Sequence, residues 1–465
     1  MFLDLDKKNP ELIAVVDSWG NSLSYGELCG FADEFYAHIK ERSLFFIMSE
    51  NCAGALAGYV AGLSKQVVPV MLSSGMDRAL LNDLINTYSP AYLWIPQQQV
   101  QEFGYPSVFS QYGYVLVKTN MESVDMYDDL SLLLTTSGST GSPKFVRHSY
   151  ENVSANAKNI AAVFELDEQE RGMVSLPLQF TQGLNVASSH LYAGATVLLT
   201  TATLTQREFW SFFKEQKATS FTGVPYSYDV LEKLRFFSMD LPHLKTLNQG
   251  GGRLTNELFT KCAQYAKNTG RRFIATYGST ETTSRMAYLP AEMALDKCGS
   301  IGKPIPQGSI TLVDDEGKEV TQPGEIGEII YQGPNVTLGY AECAQDLLKG
   351  DERSGVFATG DLAWRDEDGC HFIVGRKKRF LKLYGYRIGL DETERLIKSG
   401  MGIECACIGN DKKMSIVITQ AEKEKEVMRF ITEKTGINAS AFEVRCISEI
   451  PKNDAGKTLY NKLEG

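Results

Sequence analysis

The run LLLTTSGSTGSPK, which ends at Lys144, has the composition of a loop built to surround a phosphate. Thr136, Ser137, Ser139, Thr140 and Ser142 offer hydroxyl donors. Gly138 and Gly141 let backbone amides come close to an anion, and Lys144 adds a positive charge. Pro143 sets the run apart from a Walker loop, in which Gly-Lys-Ser/Thr opens a helix. Taken alone, the same residues would also suit a surface linker.

A phosphate loop needs a rigid edge to hang from. Leu132, Leu133 and Leu134 read as a buried strand that ends at it. Around it, the strand-like runs SLFFIMSE, VVPVML, AYLWIP and YVLVK alternate with the helical segments CAGALAGYVAGL and ALLNDLINTYSP. A second series follows in TVLLT, ATSFTGVP and FIATYG. Such alternation predicts an α/β fold with two mainly parallel sheets, with ligand loops at the C-terminal ends of the strands. Beyond residue 296 the pattern changes to short strands with turn pairs. VDDEGKEV, GEIGEIIYQG and RDEDGCHFIVG predict a small antiparallel β subdomain, with hairpin turns at the glycines after Glu316 and Asp368. The basic cluster Arg376-Lys377-Lys378-Arg379 marks a boundary. It separates an N-terminal domain, 1–377, from a small α+β C-terminal domain, 378–465.

With 465 residues, the chain is long enough for about two to four domains or subdomains. A net charge of -10 argues against a nucleic-acid binder, because no global positive field would attract a polyanion. No apolar run reaches membrane-spanning length. The start, MFLDLDKKNPEL, lacks the basic-then-apolar order of a signal peptide. Nine cysteines in such a chain point to reduced thiols and a cytoplasmic location. No four-ligand zinc set can be assembled from Cys405, Cys407 and the five histidines.

TTSGSTGSPK resembles the phosphate loop of the ANL superfamily, which comprises acyl- and aryl-CoA synthetases, adenylation domains and luciferases. Five further segments resemble that family's motifs, in its order: NQGGGRL (248–254), YGSTET (277–282), FATGDL (357–362), GRKKRFLKLYGYRIGLDETE (375–394) and PKNDAGKTL (451–459). NSLSYGEL (21–28) resembles the family's opening, so the likeness covers essentially the whole chain. It implies ATP and Mg2+ as cofactors and a carboxylic acid as substrate. The acyl acceptor would be coenzyme A, or phosphopantetheine on a separate carrier protein.

The resemblance also implies roles. Activating an acid with ATP brings two anions together, so the site must neutralise charge and hold geometry rather than supply a strong base. Lys457 would reach the acyl carboxylate and the α-phosphate. Glu281 would hold Mg2+, and Thr280 would donate to the phosphate. Tyr277, with Gly278 and Ser279 beside it, would stack on adenine, and Gly250, Gly251 and Gly252 would form a flat wall for the purine. Asp361 would read the ribose hydroxyls, with Arg376 in support. Lys378 falls at the family's hinge, about which the mobile C-terminal domain turns after adenylation, bringing the hairpin around Gly385 to line a thiol channel.

LPLQFTQGLNV (176–186) resembles the acid-pocket segment and assigns Phe180, Gln182, Gly183 and Leu184 to the acid. It carries no Asp before Asn185, so an amino-acid substrate would lack its usual counter-charge. Arg285 reads as a surface arginine, with a second carboxylate as the alternative. The leading expectation is an acid–thiol ligase. Its rivals are an amino-acid adenylating ligase serving a separate carrier protein, against which the missing Asp counts, and a non-catalytic nucleotide-binding relative, against which Lys457, Glu281 and Asp361 together count.

Overall fold

The computed structural model describes residues 1–135, 144–377, 379–383, 386–410, 412–435, 437–453 and 456–463. Contacts divide the chain into two compact units. The first comprises 1–298, 304–309 and 332–357, and the second 299–303, 310–331 and 358–465. By contact, then, the antiparallel β segment groups with the C-terminal segment. The expected 377/378 boundary falls inside the second unit, which runs unbroken from 358 to 465.

The first unit holds two α/β sheets. One orders its strands Gly339–Ala341, Phe145–Ser149, Leu130–Thr135, Val68–Ser73, Leu44–Ser49, Tyr92–Pro96, Tyr114–Lys118 and Ser107–Gln111. The four strands from Leu130–Thr135 to Tyr92–Pro96 pair in parallel, and antiparallel strands complete both edges. Leu44–Ser49 is buried along its whole length, which is why it reads as an uninterrupted apolar run.

The second sheet includes, in this order, Ala287–Leu289, Arg272–Tyr277, Thr246–Gln249, Ser220–Gly223, Arg171–Val174, Thr196–Leu199, Ile13–Asp17 and Ser22–Ser24. Every pairing from Arg272–Tyr277 to Ile13–Asp17 is parallel. The glycine triplet and the YGSTET turn therefore leave adjacent strands at the same end of the sheet.

Helix starts are written locally. Ser24 and Glu27 exchange side-chain bonds with each other's backbone at the start of Tyr25–Ile39, and Ser149 and Asn152 do so at the start of Tyr150–Phe164. The helix Ala53–Ser64 is buried from Ala53 to Leu63. A β-carbon on Gly58 would lie 2.5 Å from Trp94, and one on Gly62 would lie 2.8 Å from Phe45. The missing side chains let the helix backbone rest directly on those rings.

In the second unit, Ser309–Val313, Ile326–Gln332, Val356–Arg365 and His371–Arg376 form an antiparallel sheet. Its turns carry Gly317 and Gly369 at φ 80 and 79, as the turn pairs predicted. The hairpin Phe380–Leu383/Tyr386–Gly389 follows. The sheet Cys405–Asn410, Lys413–Ile418 and Phe442–Cys446 then packs with the helices Leu390–Met401 and Glu424–Thr435. Ile397, Met414, Ile416, Val427 and Ile431 are among the fully enclosed residues of this core. The α/β class, the two mainly parallel sheets and the antiparallel β segment all match the expectation from sequence.

Candidate active site

The two strands that flank the phosphate-loop sequence pair with each other, Thr135 opposite Phe145. Thr136, Ser137, Gly138, Ser139, Thr140 and Gly141 lie outside the described residues. Lys144 lies within them. Its Nζ stands 3.5 Å from the centroid of the Tyr340 ring and 3.9 Å from Glu342 Oε1.

Tyr340 links this lysine to Glu281. Its hydroxyl donates to Glu281 Oε1 at 2.9 Å, and the Arg353 guanidinium lies over the same ring at 4.6 Å. Burial, and then the neighbouring Glu281 carboxylate, push the Tyr340 phenol up to about 12, so it remains a donor at neutral pH. The main chain of Glu281 is fixed as well. Its carbonyl accepts from Thr337 N–H at 3.0 Å and from Thr337 Oγ1 at 2.9 Å. No sequence pattern announced Tyr340, Thr337 or Arg353. They sit in segments with neither a motif nor an amphipathic period.

Thr280, Glu281 and Thr282 form a single 3-10 turn after the strand Arg272–Tyr277, and Thr280 is buried. A β-carbon on Gly278 would sit 1.6 Å from Ser284 O, so the turn folds back on itself only with glycine there. Thr283 and Ser284 then adopt φ 51 and 107. Positive φ costs a non-glycine residue energy, and the surroundings must hold it. Asn335 does so. Fully buried, it donates to Thr282 O at 2.8 Å and to Arg285 O at 2.7 Å, while Thr283 Oγ1 donates to Asn335 O at 2.8 Å. Ser279 Oγ is buried without a hydrogen-bond partner.

Gly250 continues the strand Thr246–Gln249, donating its N–H to Gly223 O at 3.1 Å. Gln249 Nε2 donates to Gly252 O at 2.6 Å and closes the turn that contains Gly251. A β-carbon on Gly250 would lie 2.6 Å from Gln182 Nε2, 2.8 Å from Thr276 Oγ1 and 3.3 Å from Arg285 Nη1. Gln182, from the expected acid-pocket segment, and Arg285 therefore meet at this glycine. Tyr277 is half-buried at the end of the neighbouring strand.

Phe180 caps the helix Thr181–Ala193, and Gln182 projects toward Gly250 with Oε1 buried and unpartnered. Gly183 permits a close backbone approach, because a β-carbon there would strike Pro177 O at 2.4 Å. Leu184 is 3% exposed and packs in the main core with Leu178 and Ala187. Arg285 is 3% exposed, which overturns its reading as a surface residue. The Arg272–Tyr277 strand and the turn after it carry it inward.

In the second unit, Asp361 and Arg376 face each other across the ladder Val356–Arg365/His371–Arg376, with Arg376 Nε 3.4 Å from Asp361 Oδ1. Glu328 accepts from Gly360 N–H at 3.2 Å and from Lys377 Nζ at 2.9 Å, fixing the strand on either side of the pair. Lys457 is exposed on a tight turn. Its N–H donates to Asn453 Oδ1 at 2.9 Å, and its carbonyl accepts from Asn453 N–H at 2.9 Å.

Lys378 and Gly385 lie outside the described residues. Arg379, next to that lysine, donates to Asp391 at 2.5 Å and to Glu394 at 2.7 Å, with the Tyr460 ring 3.6 Å from its guanidinium. Tyr460 OH in turn donates to the other Glu394 oxygen at 2.9 Å. The chain just after the expected hinge is thereby tied to a residue three positions past Lys457.

Over 354 residues, 74% of this chain and 72% of the other, the sequence is 29% identical to the 2-succinylbenzoate–CoA ligase of Bacillus licheniformis. It is 31% identical to the oxalate–CoA ligase of Arabidopsis thaliana over 61% of this chain, and it spans 55% of that enzyme. The fold is similar to the o-succinylbenzoate CoA synthetase of Bacillus subtilis, solved in complex with its acyl-adenylate intermediate OSB-AMP. That match has a TM-score of 0.80 at 22% identity and covers 100% of this chain and 97% of the other. Residues 4–341 match the model of the AMP-binding enzyme family, and to that family this chain belongs.

Proposed function

We propose that the chain is an AMP-forming acid–thiol ligase. A carboxylate attacks the α-phosphorus of ATP, the bond to the pyrophosphate oxygen breaks, and an acyl-adenylate forms. A thiol then attacks the acyl carbon, AMP leaves, and a thioester results. The thiol belongs to coenzyme A or to a carrier-protein phosphopantetheine. The relatives named for coenzyme A favour the first.

One observation carries this reading. Glu281 is pinned through its carbonyl by Thr337 and through one carboxylate oxygen by Tyr340, with Lys144 and Arg353 around the same ring. Fixed cations next to a fixed hard carboxylate suit a triphosphate that arrives with a divalent cation. Mg2+ keeps several waters and shares phosphate oxygens, so a single protein carboxylate suffices. Glu281 would hold the ion, which when bound would neutralise charge on the phosphate oxygens.

The remaining roles belong to this chain's own side chains. Lys457 offsets the charge that builds as carboxylate and phosphate meet, an effect worth roughly 10² to 10³ in rate. Asp361, steadied by Arg376, accepts from the ribose hydroxyls. Gly250, Gly251 and Gly252 give the adenine a wall without side chains, beside Tyr277. The phosphate loop 136–141 and Lys144 surround the phosphates. Residues 378–465 turn about Lys378 between the two half-reactions, bringing Gly385 to the thiol.

Acid-dependent exchange of labelled pyrophosphate into ATP tests the reading, screened over fatty, aryl, dicarboxylic and amino acids. Exchange with an acid that lacks an α-amino group, followed by thioester formation on adding coenzyme A, is expected. Exchange confined to α-amino acids would make the enzyme an amino-acid adenylating ligase instead.

A further inference from the structure

Among the described residues, Arg285 is a buried guanidinium without a counter-charge. Of its three nitrogens, Nη1 donates to Ser284 Oγ at 3.1 Å, and Nε is buried with no partner. Among the described residues no carboxylate pairs with it. Glu170 borders the same small cavity, but it is held by Lys245 Nζ at 2.6 Å and by the Thr219 hydroxyl. Burial lowers the Arg285 pKa to about 10, which leaves it a cation at neutral pH.

The protein treats its other buried arginine differently. Arg147, also fully buried, is met by Glu352 Oε2 at 2.5 Å and by the carbonyls of Tyr340, Lys349 and Gly350. A buried charge left unpaired is strongly destabilising. Here it is held in place by two non-glycine residues at positive φ and by Asn335, as described above. Among the described residues nothing neutralises the charge held there.

What lies around it indicates which ligand. Arg285 Nη1 and Gln182 Nε2 approach the same point over Gly250, and Gln182 leaves Oε1 unpartnered there. Gln182 belongs to the acid-pocket segment, whereas the phosphate-side cations Lys144 and Arg353 cluster about Tyr340. We infer that Arg285 is the counter-charge for a second carboxylate on the acid this enzyme activates, so that its substrate is a dicarboxylic acid. The inference rests on the ligase reading. One carboxylate enters the reaction with ATP, and the other is fixed by the guanidinium, whose donors match a carboxylate.

The test compares oxalate, malonate, succinate, glutarate, adipate and phthalate, each with its monomethyl ester, in pyrophosphate exchange. At least one diacid should exceed its half-ester by about 30-fold or more in kcat/KM, and Arg285→Gln should collapse that ratio. Arg285→Lys keeps the charge without the fork and should retain part of the preference. A second readout needs no turnover: the preferred diacid should raise the thermal midpoint of the wild type more than that of Arg285→Gln.

Half-esters that outrun every diacid would overturn the inference and leave the ligase reading intact. A rise in the KM for ATP that is equal for all acids would also overturn it, by assigning Arg285 to a phosphate. The absence of exchange with any acid, in this panel and in the wider screen, would remove the ligase reading and this inference together.

Discussion

Tyr340 and Glu281 are 59 residues apart in sequence and share one hydrogen bond of 2.9 Å. The phenol fixes one oxygen of the carboxylate, and with it the direction in which the other oxygen points. Tyr340→Phe keeps the ring beneath Lys144 and Arg353 and removes only the donor. The Mg2+ concentration for half-maximal pyrophosphate exchange should rise about tenfold, since losing a partner of a metal ligand costs 10- to 100-fold. A Mg2+ titration of the variant checks this, and an unchanged midpoint would separate Glu281 from the metal.

Lys457→Ala should reduce acid-dependent exchange by roughly 10² or more. A synthetic acyl-adenylate should still be converted to thioester at near wild-type rate if, as proposed, the ammonium serves only the first step. Single-turnover measurements of the two half-reactions decide it. Normal adenylation without this group would remove its assignment.

Lys378→Pro fixes φ near -65° at the expected hinge. Adenylation should survive while thioester formation falls. Equal loss of both half-reactions would place the hinge elsewhere.

Two glycines should respond in opposite ways to alanine. At Gly278 the new carbon would lie 1.6 Å from a backbone oxygen, so the main chain must move. Most exchange activity should be lost, with a stability loss of about 1–3 kcal/mol or more. At Gly30, exposed within Tyr25–Ile39, nothing lies within 4 Å. Alanine there should stabilise by about 0.5–1 kcal/mol. Urea unfolding midpoints of the two variants test both signs.

His148 is fully buried, and burial lowers its pKa from 6.5 to about 4. Above the unfolded value neither state binds the proton. Below it the unfolded chain does and the native one does not, so stability falls as pH drops from 6.5 toward 4. The contribution is about 3 kcal/mol over that window. His148→Gln should flatten the decline, read from urea midpoints between pH 7 and 4 taken as approximate bounds.

The sheets and hairpins were legible because burial on both faces leaves uninterrupted apolar runs, as at Leu44–Ser49, and because turns need particular residues, as at Gly317 and Gly369. Motif residues such as Glu281 and Asp361 stood out because their segments resemble the family's motifs. What surrounds them was not. Tyr340, Thr337 and Asn335 reach the 280–285 turn across more than fifty residues of chain. No local period encodes such a contact. Arg285 was misplaced on the surface for the same reason, since nothing adjacent to it in sequence reveals that the turn points inward.

The helix Ala53–Ser64 limits how this enzyme could be engineered for heat tolerance. Replacing glycine by alanine is a standard route to stiffer helices, worth about 1 kcal/mol where the methyl meets solvent. Here the same edit at position 54, 58 or 62 would drive a carbon to within 3 Å of Tyr112 O, Trp94 or Phe45. The segment is specified by volume it must leave to its neighbours. A redesign scored on helix propensity alone would alter these three positions first and would loosen the sheet that holds Leu130–Thr135 and Phe145–Ser149.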